Sequence, residues 1–113
     1  MHGGINDKLN LTALQKLDRK LFCSICTMGK FEKDSLEKKH YDDVVDMLWS
    51  DPTTESKGID FNMVRYIGKM FGSDVTKKFL NENKFTHLIR SHECKTQGHE
   101  LVHDDKGIKN INI

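Results

Sequence analysis

The chain has 113 residues, the size of one domain or of part of one. It carries 18 Lys and Arg against 17 Asp and Glu, a net charge of +1, so it lacks the basic face that nucleic-acid-binding proteins present. It has no apolar run of about 18 residues, no signal-peptide pattern and only three cysteines. These features predict no nucleic-acid partner, no membrane association and a cytoplasmic or nuclear location with reduced thiols.

The spacing of apolar residues predicts two helices. Leucines recur at helical intervals over 11–21, and Asn10 before them is a good N-cap because its side chain can accept a bond from a free backbone N–H. A second helix is predicted over 74–83 with Ser73 as its cap. Its apolar face would be formed by Val75, Phe79 and Leu80.

Strands are predicted over 85–90 and 99–103, which with the helices favours an α/β fold. The mixed-charge tract over 27–40 is interpreted as a polar insertion, either an exposed loop or a frayed helix. The polar stretch 53–62 is interpreted as a surface loop. Pro52 must end any preceding helix.

Four short motifs contain candidate functional residues. Neutral imidazole is the commonest protein metal ligand, and arginine offers a planar fork for phosphate. The glycines after His2 would allow a sharp turn and leave its imidazole unobstructed, and His92 follows an apolar run. Taken singly, these residues are equally compatible with a disordered N-terminus, a structural histidine and a solvated arginine. The motifs are His2-Gly3-Gly4-Ile5, Leu48-Trp49-Ser50-Asp51-Pro52, Arg65 before Phe71-Gly72, and Ile89-Arg90-Ser91-His92-Glu93.

The order of these motifs resembles the C-terminal half of the catalytic domain of the phosphoprotein phosphatases, the metal-dependent Ser/Thr phosphatases. The run Ile-Arg-Ser-His-Glu-Cys-Lys is similar to the subgroup that carries EF-hands. The resemblance covers residues 2–22 and 41–106. It implies that 1–113 is a partial catalytic domain with an α/β fold: half of the two-sheet β-sandwich of a calcineurin-like metallophosphoesterase core, flanked by helices.

The resemblance also implies roles for individual residues. His2 and His92 match metal ligands of the family, and Arg65 matches a catalytic arginine that binds the substrate phosphate. Asp51 would act behind Arg65, either by orienting it or by holding a water. The intact family site holds two divalent metal ions, Mn²⁺, Fe or Zn²⁺, and hydrolyses phosphoserine and phosphothreonine in proteins with an activated water. One departure from the family is Tyr66, which stands where a glycine usually follows the arginine.

Three family motifs have no match in this sequence: Gly-Asp-x-His-Gly, Gly-Asp-x-Val-Asp-Arg-Gly and Gly-Asn-His-Glu. We therefore expect a phosphatase by family, with phosphoprotein substrates, whose 113 residues alone are incomplete and inactive. Because no Asp-x-Asp-x-Asp-Gly loop is present, calcium or calmodulin could regulate it only through regions absent here.

Two other functions stay open. A non-catalytic phosphatase remnant could act as a binding module for phosphoproteins or for a phosphatase subunit. An unrelated zinc-binding protein could combine Cys23, Cys26 and Cys94 with His92 or His99 in a Cys/Cys/Cys/His site.

Overall fold

The fold of the chain is given by a computed structural model that describes residues 1–22, 31–105 and 108–113. No helix within these ranges is long and apolar enough to cross a membrane. The mixed helices and strands confirm the α/β class predicted from the sequence. In chain order the elements are α1 (Leu11–Gln15), a 3₁₀ turn (Arg19–Phe22), α2 (Leu36–Trp49), β1 (Asp51–Pro52), β2 (Ile59–Phe61), β3 (Lys69–Phe71), α3 (Ser73–Glu82), β4 (His87–Arg90), β5 (Glu100–Asp105) and β6 (Ile108–Asn112).

The strands form two three-stranded sheets. In the first, ordered β1-β3-β2, β1 is parallel and β2 antiparallel to β3. In the second, ordered β4-β6-β5, β4 is parallel and β5 antiparallel to β6. The sequence predicted β4 and β5 to within two residues but missed the first sheet. Its strands are two or three residues long, too short to show alternation, and β2 lies within the expected loop 53–62.

The central strand β6 was missed because its polar residues face inward. Asn110 and Asn112 are fully buried, whereas Ile111 between them is only partly buried. The Oδ1 atom of Asn112 accepts a hydrogen bond from Arg90, and the amide nitrogen of Asn110 lies 3.4 Å from Nδ1 of His103. Because the buried Arg90 and His103 need polar partners, the asparagines take the inner face and the usual hydrophobic pattern is inverted.

The first helix is shorter than the predicted range 11–21, since α1 has only five residues and a separate turn follows it. Asn10 caps it as predicted, with Oδ1 accepting from the Ala13 N–H at 3.0 Å. The carboxylate of Asp18 accepts from the Lys20 N–H at 3.0 Å. Such a local bond to the backbone competes with helical bonding and ends the regular helix early.

Helix α2 begins at Leu36, within the tract 27–40 expected as an insertion, and the first part of that tract lies outside the described residues. Ser35 caps the helix, its hydroxyl accepting from the Lys38 N–H at 3.1 Å. The helix ends before Pro52, as predicted.

Helix α3 covers the second predicted helix, but its cap differs. Ser73 is the first helical residue, and the N-cap is Gly72, which makes no side-chain bond. A Cβ at Gly72 would lie 2.6 Å from the Ser56 carbonyl oxygen, so this close approach excludes a capping side chain. The predicted apolar face does form the core, whose buried members are Ile5, Leu9, Phe71, Val75, Phe79, Leu80 and Leu88.

His103 is a buried polar member of this interior, at 4% exposure. Its Nε2 lies 2.9 Å from the carbonyl oxygen of Thr53, and its Nδ1 lies 2.9 Å from the hydroxyl of Thr76. These partners fit a neutral ring that donates from Nε2 and accepts at Nδ1. Burial lowers the pKa of His103 and outweighs the bond to the Thr53 carbonyl, which would raise it.

We predict that the free energy of unfolding falls as the pH falls below about 6.5, the pKa of an unfolded histidine. Because the folded pKa of His103 is lower, the unfolded chain binds more protons there. The contribution of His103 to the free energy of unfolding is therefore fully present above the unfolded pKa of histidine. It is lost as the pH falls toward the lower pKa of His103 in the folded chain. His92 shifts in the same direction.

Urea unfolding followed by circular dichroism between about pH 7.5 and 5.5 measures this slope. The slope should be smaller in His103→Gln than in His87→Gln, which changes an exposed histidine. Equal slopes in both variants would contradict the role of His103.

Candidate metal and phosphate site

The four residues named from the sequence lie together at one end of the fold. His2 precedes the glycine pair, and His92 follows β4. Asp51 begins β1, whereas Arg65 lies in the loop between β2 and β3. The structure thus brings into contact side chains as far as 90 positions apart.

The two imidazoles face each other. Nε2 of His2 lies 2.8 Å from Nδ1 of His92, and Nδ1 of His2 lies 3.1 Å from the Ser91 hydroxyl. Nε2 of His92 is buried without a hydrogen-bond partner among the described residues. Two Zn–N bonds of about 2.0–2.1 Å in a tetrahedral site would separate the ligand nitrogens by about 3.3–3.4 Å. The two nitrogens lie at hydrogen-bonding distance, about half an ångström closer than that, so a small movement of either ring would suit one ion.

The pair fits part of a metal-ligand set rather than a whole one. Within the described ranges, no group of three or more His, Cys, Asp or Glu side chains could hold a metal ion. The predicted cysteine pair Cys23 and Cys26 lies outside those ranges, and Cys94 is free and exposed.

The chain bends at Gly3, and the two glycines after His2 also allow close packing. A Cβ at Gly3 would lie 2.5 Å from the backbone carbon of Leu48, and one at Gly4 would lie 2.2 Å from the Phe71 ring. The Gly3 N–H donates to the Met47 carbonyl at 2.7 Å. The N-terminal segment can therefore lie directly against the end of α2, which fixes the imidazole that precedes it.

The turn that carries His92 is held in a strained conformation. Its φ of +86° lies in the region that residues other than glycine rarely adopt, at a cost on the order of 1–3 kcal/mol. The Ser91 N–H donates to the His2 carbonyl, and the Asn112 amide donates to the Glu93 carbonyl, both at 3.1 Å. These bonds on either side of His92 hold the turn.

Arg90 is a central site residue to which sequence reasoning assigned no role. Its side chain is fully buried, and Nη2 lies 2.9 Å from Oδ1 of Asp51. A sequence signal did exist, because Leu88 and Arg90 are two apart on a strand and so point to the same side of the sheet. The other acceptors of Arg90 are the carbonyls of Gly3 and Ser50, the Glu93 carboxylate and Oδ1 of Asn112.

Asp51 orients Arg65. Its Oδ2 accepts from Nε of Arg65 at 2.6 Å and from the Asn62 amide at 3.0 Å, while Nη2 of Arg65 lies 3.5 Å from the His92 carbonyl. Burial alone would raise the pKa of Asp51, but the bonds from Arg65 and Asn62 and the charges of Arg65 and Arg90 hold that pKa below its usual value. Asp51 is therefore an ionised carboxylate at neutral pH.

The surroundings of His92 keep it uncharged. Burial lowers the pKa of His92, the charge of Arg65 lowers it further, and Asp51 opposes them only in part. A neutral imidazole has a free lone pair, as metal binding requires. The ring of Trp49 lies edge-on to it, with centroids 5.5 Å apart.

The chain is similar to curated protein phosphatases. It is 38% identical over 106 residues to serine/threonine-protein phosphatase rdgC of Drosophila melanogaster, a match over 94% of this chain and 16% of that protein. It is 37% identical over 126 residues to serine/threonine-protein phosphatase with EF-hands 1 of Rattus norvegicus, over 96% of this chain and 20% of the relative. No protein-family model matches the chain. The chain thus spans about a fifth of these relatives.

A solved structure from Saccharomyces cerevisiae, a protein serine/threonine phosphatase described as similar to human phosphatase PP5, matches with a TM-score of 0.65 and 27% identity. The match covers 100% of this chain and 30% of the yeast chain. The chain belongs to the serine/threonine protein phosphatase family. The comparisons therefore confirm the family that the motifs predicted. They also confirm its EF-hand subgroup and the prediction of a partial core.

The loop beside Arg65 keeps a conformation that suits glycine. Tyr66 has a φ of +56° although its side chain is 74% exposed, so packing offsets little of the strain. Arg65 nevertheless reaches Asp51, because Oδ1 of Asn62 accepts from the N–H groups of Val64 and Arg65 at 3.1 and 3.0 Å. The departure at Tyr66 therefore leaves Arg65 aimed at the site.

We predict that Tyr66→Gly raises the free energy of unfolding by about 0.5–1 kcal/mol. Removing the left-handed penalty gains about 1–2 kcal/mol, and the greater freedom of glycine in the unfolded chain offsets part of it. Urea unfolding measures the change, with Tyr66→Ala as the control that removes the ring and keeps the strain. A glycine variant no more stable than the alanine variant would refute the strain.

We also predict that Arg90→Lys lowers the free energy of unfolding by about 3 kcal/mol or more, because lysine cannot reproduce a planar fork that serves several buried acceptors. Arg65→Lys should cost about 1 kcal/mol, since Arg65 is partly exposed and Asp51 keeps Arg90. Urea unfolding midpoints of the two variants test this order. The reverse order would show that Arg65, not Arg90, is the structural partner of Asp51.

Proposed function

We propose that this chain forms part of the active site of a phosphoprotein phosphatase that hydrolyses phosphoserine and phosphothreonine. His2 and His92 are ligands of one divalent ion, and Arg65 binds the substrate phosphate. The observation that carries the proposal is the 2.8 Å approach of the two imidazole nitrogens beside a guanidinium that Asp51 holds in place.

The placement of Arg65 suits phosphate binding. Its Nε and Nη2 atoms point to Asp51 and to the His92 carbonyl, which leaves Nη1 for a phosphate oxygen. The side chain is 26% exposed, so an incoming phosphate can reach it. Because the Asp51 carboxylate fixes the guanidinium beforehand, little side-chain freedom is lost when phosphate binds.

His2 and His92 would contribute two imidazole nitrogen ligands to a site that in the family holds two divalent ions, Mn²⁺, Fe or Zn²⁺. Such ions, when bound, acidify a water and neutralise the charge that develops on the phosphoryl group. The remaining ligands must come from outside the described residues, since no larger ligand group lies within them. The chain alone therefore holds metal weakly and does not turn over substrate.

We predict that the purified chain with manganese hydrolyses a small aryl phosphate no faster than the His92→Ala variant does. A two-metal clamp needs more ligands than the imidazole pair, so the water is not acidified at neutral pH. Turnover near that of an intact relative, abolished by His92→Ala, would show that the chain assembles a working site by itself.

Metal binding tests the ligand assignment without relying on activity. Titration with Mn²⁺, followed by the electron paramagnetic resonance signal of the free ion, should show weak binding that is lost in His2→Ala and in His92→Ala. His87→Ala, at an exposed histidine, should bind like the unchanged chain. Binding that survives both site variants would refute the metal pair.

A non-catalytic binding module would also show no turnover, so a further experiment separates it from a partial enzyme. The chain is mixed with a separately produced first half of a relative's catalytic domain. Activity that appears only in the mixture, and not with the His92→Ala chain, supports a competent half-site. An inactive complex would favour the binding module.

A further inference from the structure

A groove of about 630 Å³ is bounded by α1 and the 3₁₀ turn, by α2 and by the first two residues of the chain. Its volume falls within the range of about 300–1,000 Å³ that is typical of small-molecule sites. Most of the side chains that line it are apolar, and no Asp or Glu is among the described residues that do so. The lining residues are Met1, His2, Leu14, Leu17, Arg19, Lys20, Phe22, Val44, Met47 and Leu48.

The apolar lining of this groove is held in place by the hydrophobic core. Leu14 and Met47 pack against the core cluster and are only partly buried. Val44 and Leu48 are also partly buried, and because they are four residues apart they share one side of α2. These side chains form a fixed surface that the described residues leave partly uncovered. An apolar ligand that covered it would gain free energy by removing apolar area from water.

The 3₁₀ turn adds positive charge to the same surface. Lys20 is exposed, and no described carboxylate forms an ion pair with its ammonium group. The Asp18 carboxylate is turned toward the backbone N–H of Lys20, at 3.0 Å, and does not line the groove. Arg19 lines it beside Lys20. The charge of this wall therefore complements an anionic group on a ligand.

The surroundings of the groove favour an alkyl chain over a peptide. An extended peptide needs partners for its backbone N–H and C=O groups, but helices, whose backbone bonds are internal, form most of the walls. The first two residues do not supply these partners either, since the His2 carbonyl already accepts from the Ser91 N–H at 3.1 Å. A helical peptide, about 10–12 Å across, would insert only a few side chains. An alkyl chain has no polar group to satisfy along its length.

We propose that this groove is a binding site for an anionic amphiphile, a fatty carboxylate. Its alkyl chain lies along Val44 and Leu48 on α2, and its carboxylate meets the positive charge of Lys20 and Arg19. The inference does not depend on the proposed function, because it involves neither a metal ion nor a phosphate. His2 lies at the border of the groove and of the candidate site, so a bound alkyl chain would lie beside the imidazole pair.

Isothermal titration calorimetry of the full chain with monomeric dodecanoate at neutral pH tests the proposal, and circular dichroism confirms that each variant is folded. We expect saturable binding of one dodecanoate. Octanoate should bind at least about tenfold more weakly, because it buries fewer methylene groups. Val44→Ser should weaken dodecanoate binding about tenfold and Lys20→Gln about threefold. The controls Leu36→Ser and Lys33→Gln change exposed residues outside the groove and should bind like the unchanged chain.

Uncharged dodecanol and cationic dodecyltrimethylammonium separate the apolar contact from the charge. Both should bind more weakly than dodecanoate, and equal affinities would refute a carboxylate site. Affinity that is unchanged in both Val44→Ser and Lys20→Gln would place the ligand elsewhere and overturn the proposal. Lack of saturable dodecanoate binding would also overturn it and leave the groove to a peptide or protein partner. Binding to phosphatidylserine vesicles without binding of monomeric dodecanoate would show recognition of a lipid surface instead.

Discussion

The buried ion pair between Arg90 and Asp51 is the contact on which the rest of the site depends. Its atoms lie 2.9 Å apart, and the two side chains are 0% and 8% exposed. A buried guanidinium is tolerated only when its donors are matched, and these acceptors come from separate parts of the chain. The pair thereby joins the first sheet to the second, and both to the N-terminal segment and the turn that holds His92. The further acceptors are Gly3, Ser50, Glu93 and Asn112.

The same carboxylate determines two chemical properties of the site. Asp51 also binds Arg65, so the direction of this second guanidinium follows from the structural pair. The charge of Arg65 in turn adds to burial in lowering the pKa of His92, which keeps that imidazole neutral. The direction of the Arg65 guanidinium and the protonation state of His92 are thus not independent, and a change at Asp51 would alter both. This coupling explains why a polar network is retained where an apolar interior would be simpler.

The structural features that could be predicted from the sequence are those that a local residue pattern determines. The cap at Asn10 and the apolar face of α3 follow from spacing within a few residues. The site residues came instead from the order of motifs, because no local pattern reveals that His2 and His92 meet across 90 positions. Strand β6 was not predictable by hydrophobic alternation, since the interior it faces contains Arg90 and His103. The environment of a strand, and not its own sequence alone, decides which side turns inward.

The candidate site and the second sheet differ in how far the residues of this chain complete them. The hydrogen bonds that fix Arg65 and His92 lie within this chain, so these two side chains are held in place without further residues. The second sheet, by contrast, has an apolar outer row in which Ile111 pairs with Ile89 and Leu101, and these two neighbours are 52% and 43% exposed. A sheet face of this kind is stable when another layer covers it. Lack of apolar cover on this face therefore limits the stability of the chain alone, whereas the polar network around Asp51 finds its partners within the chain.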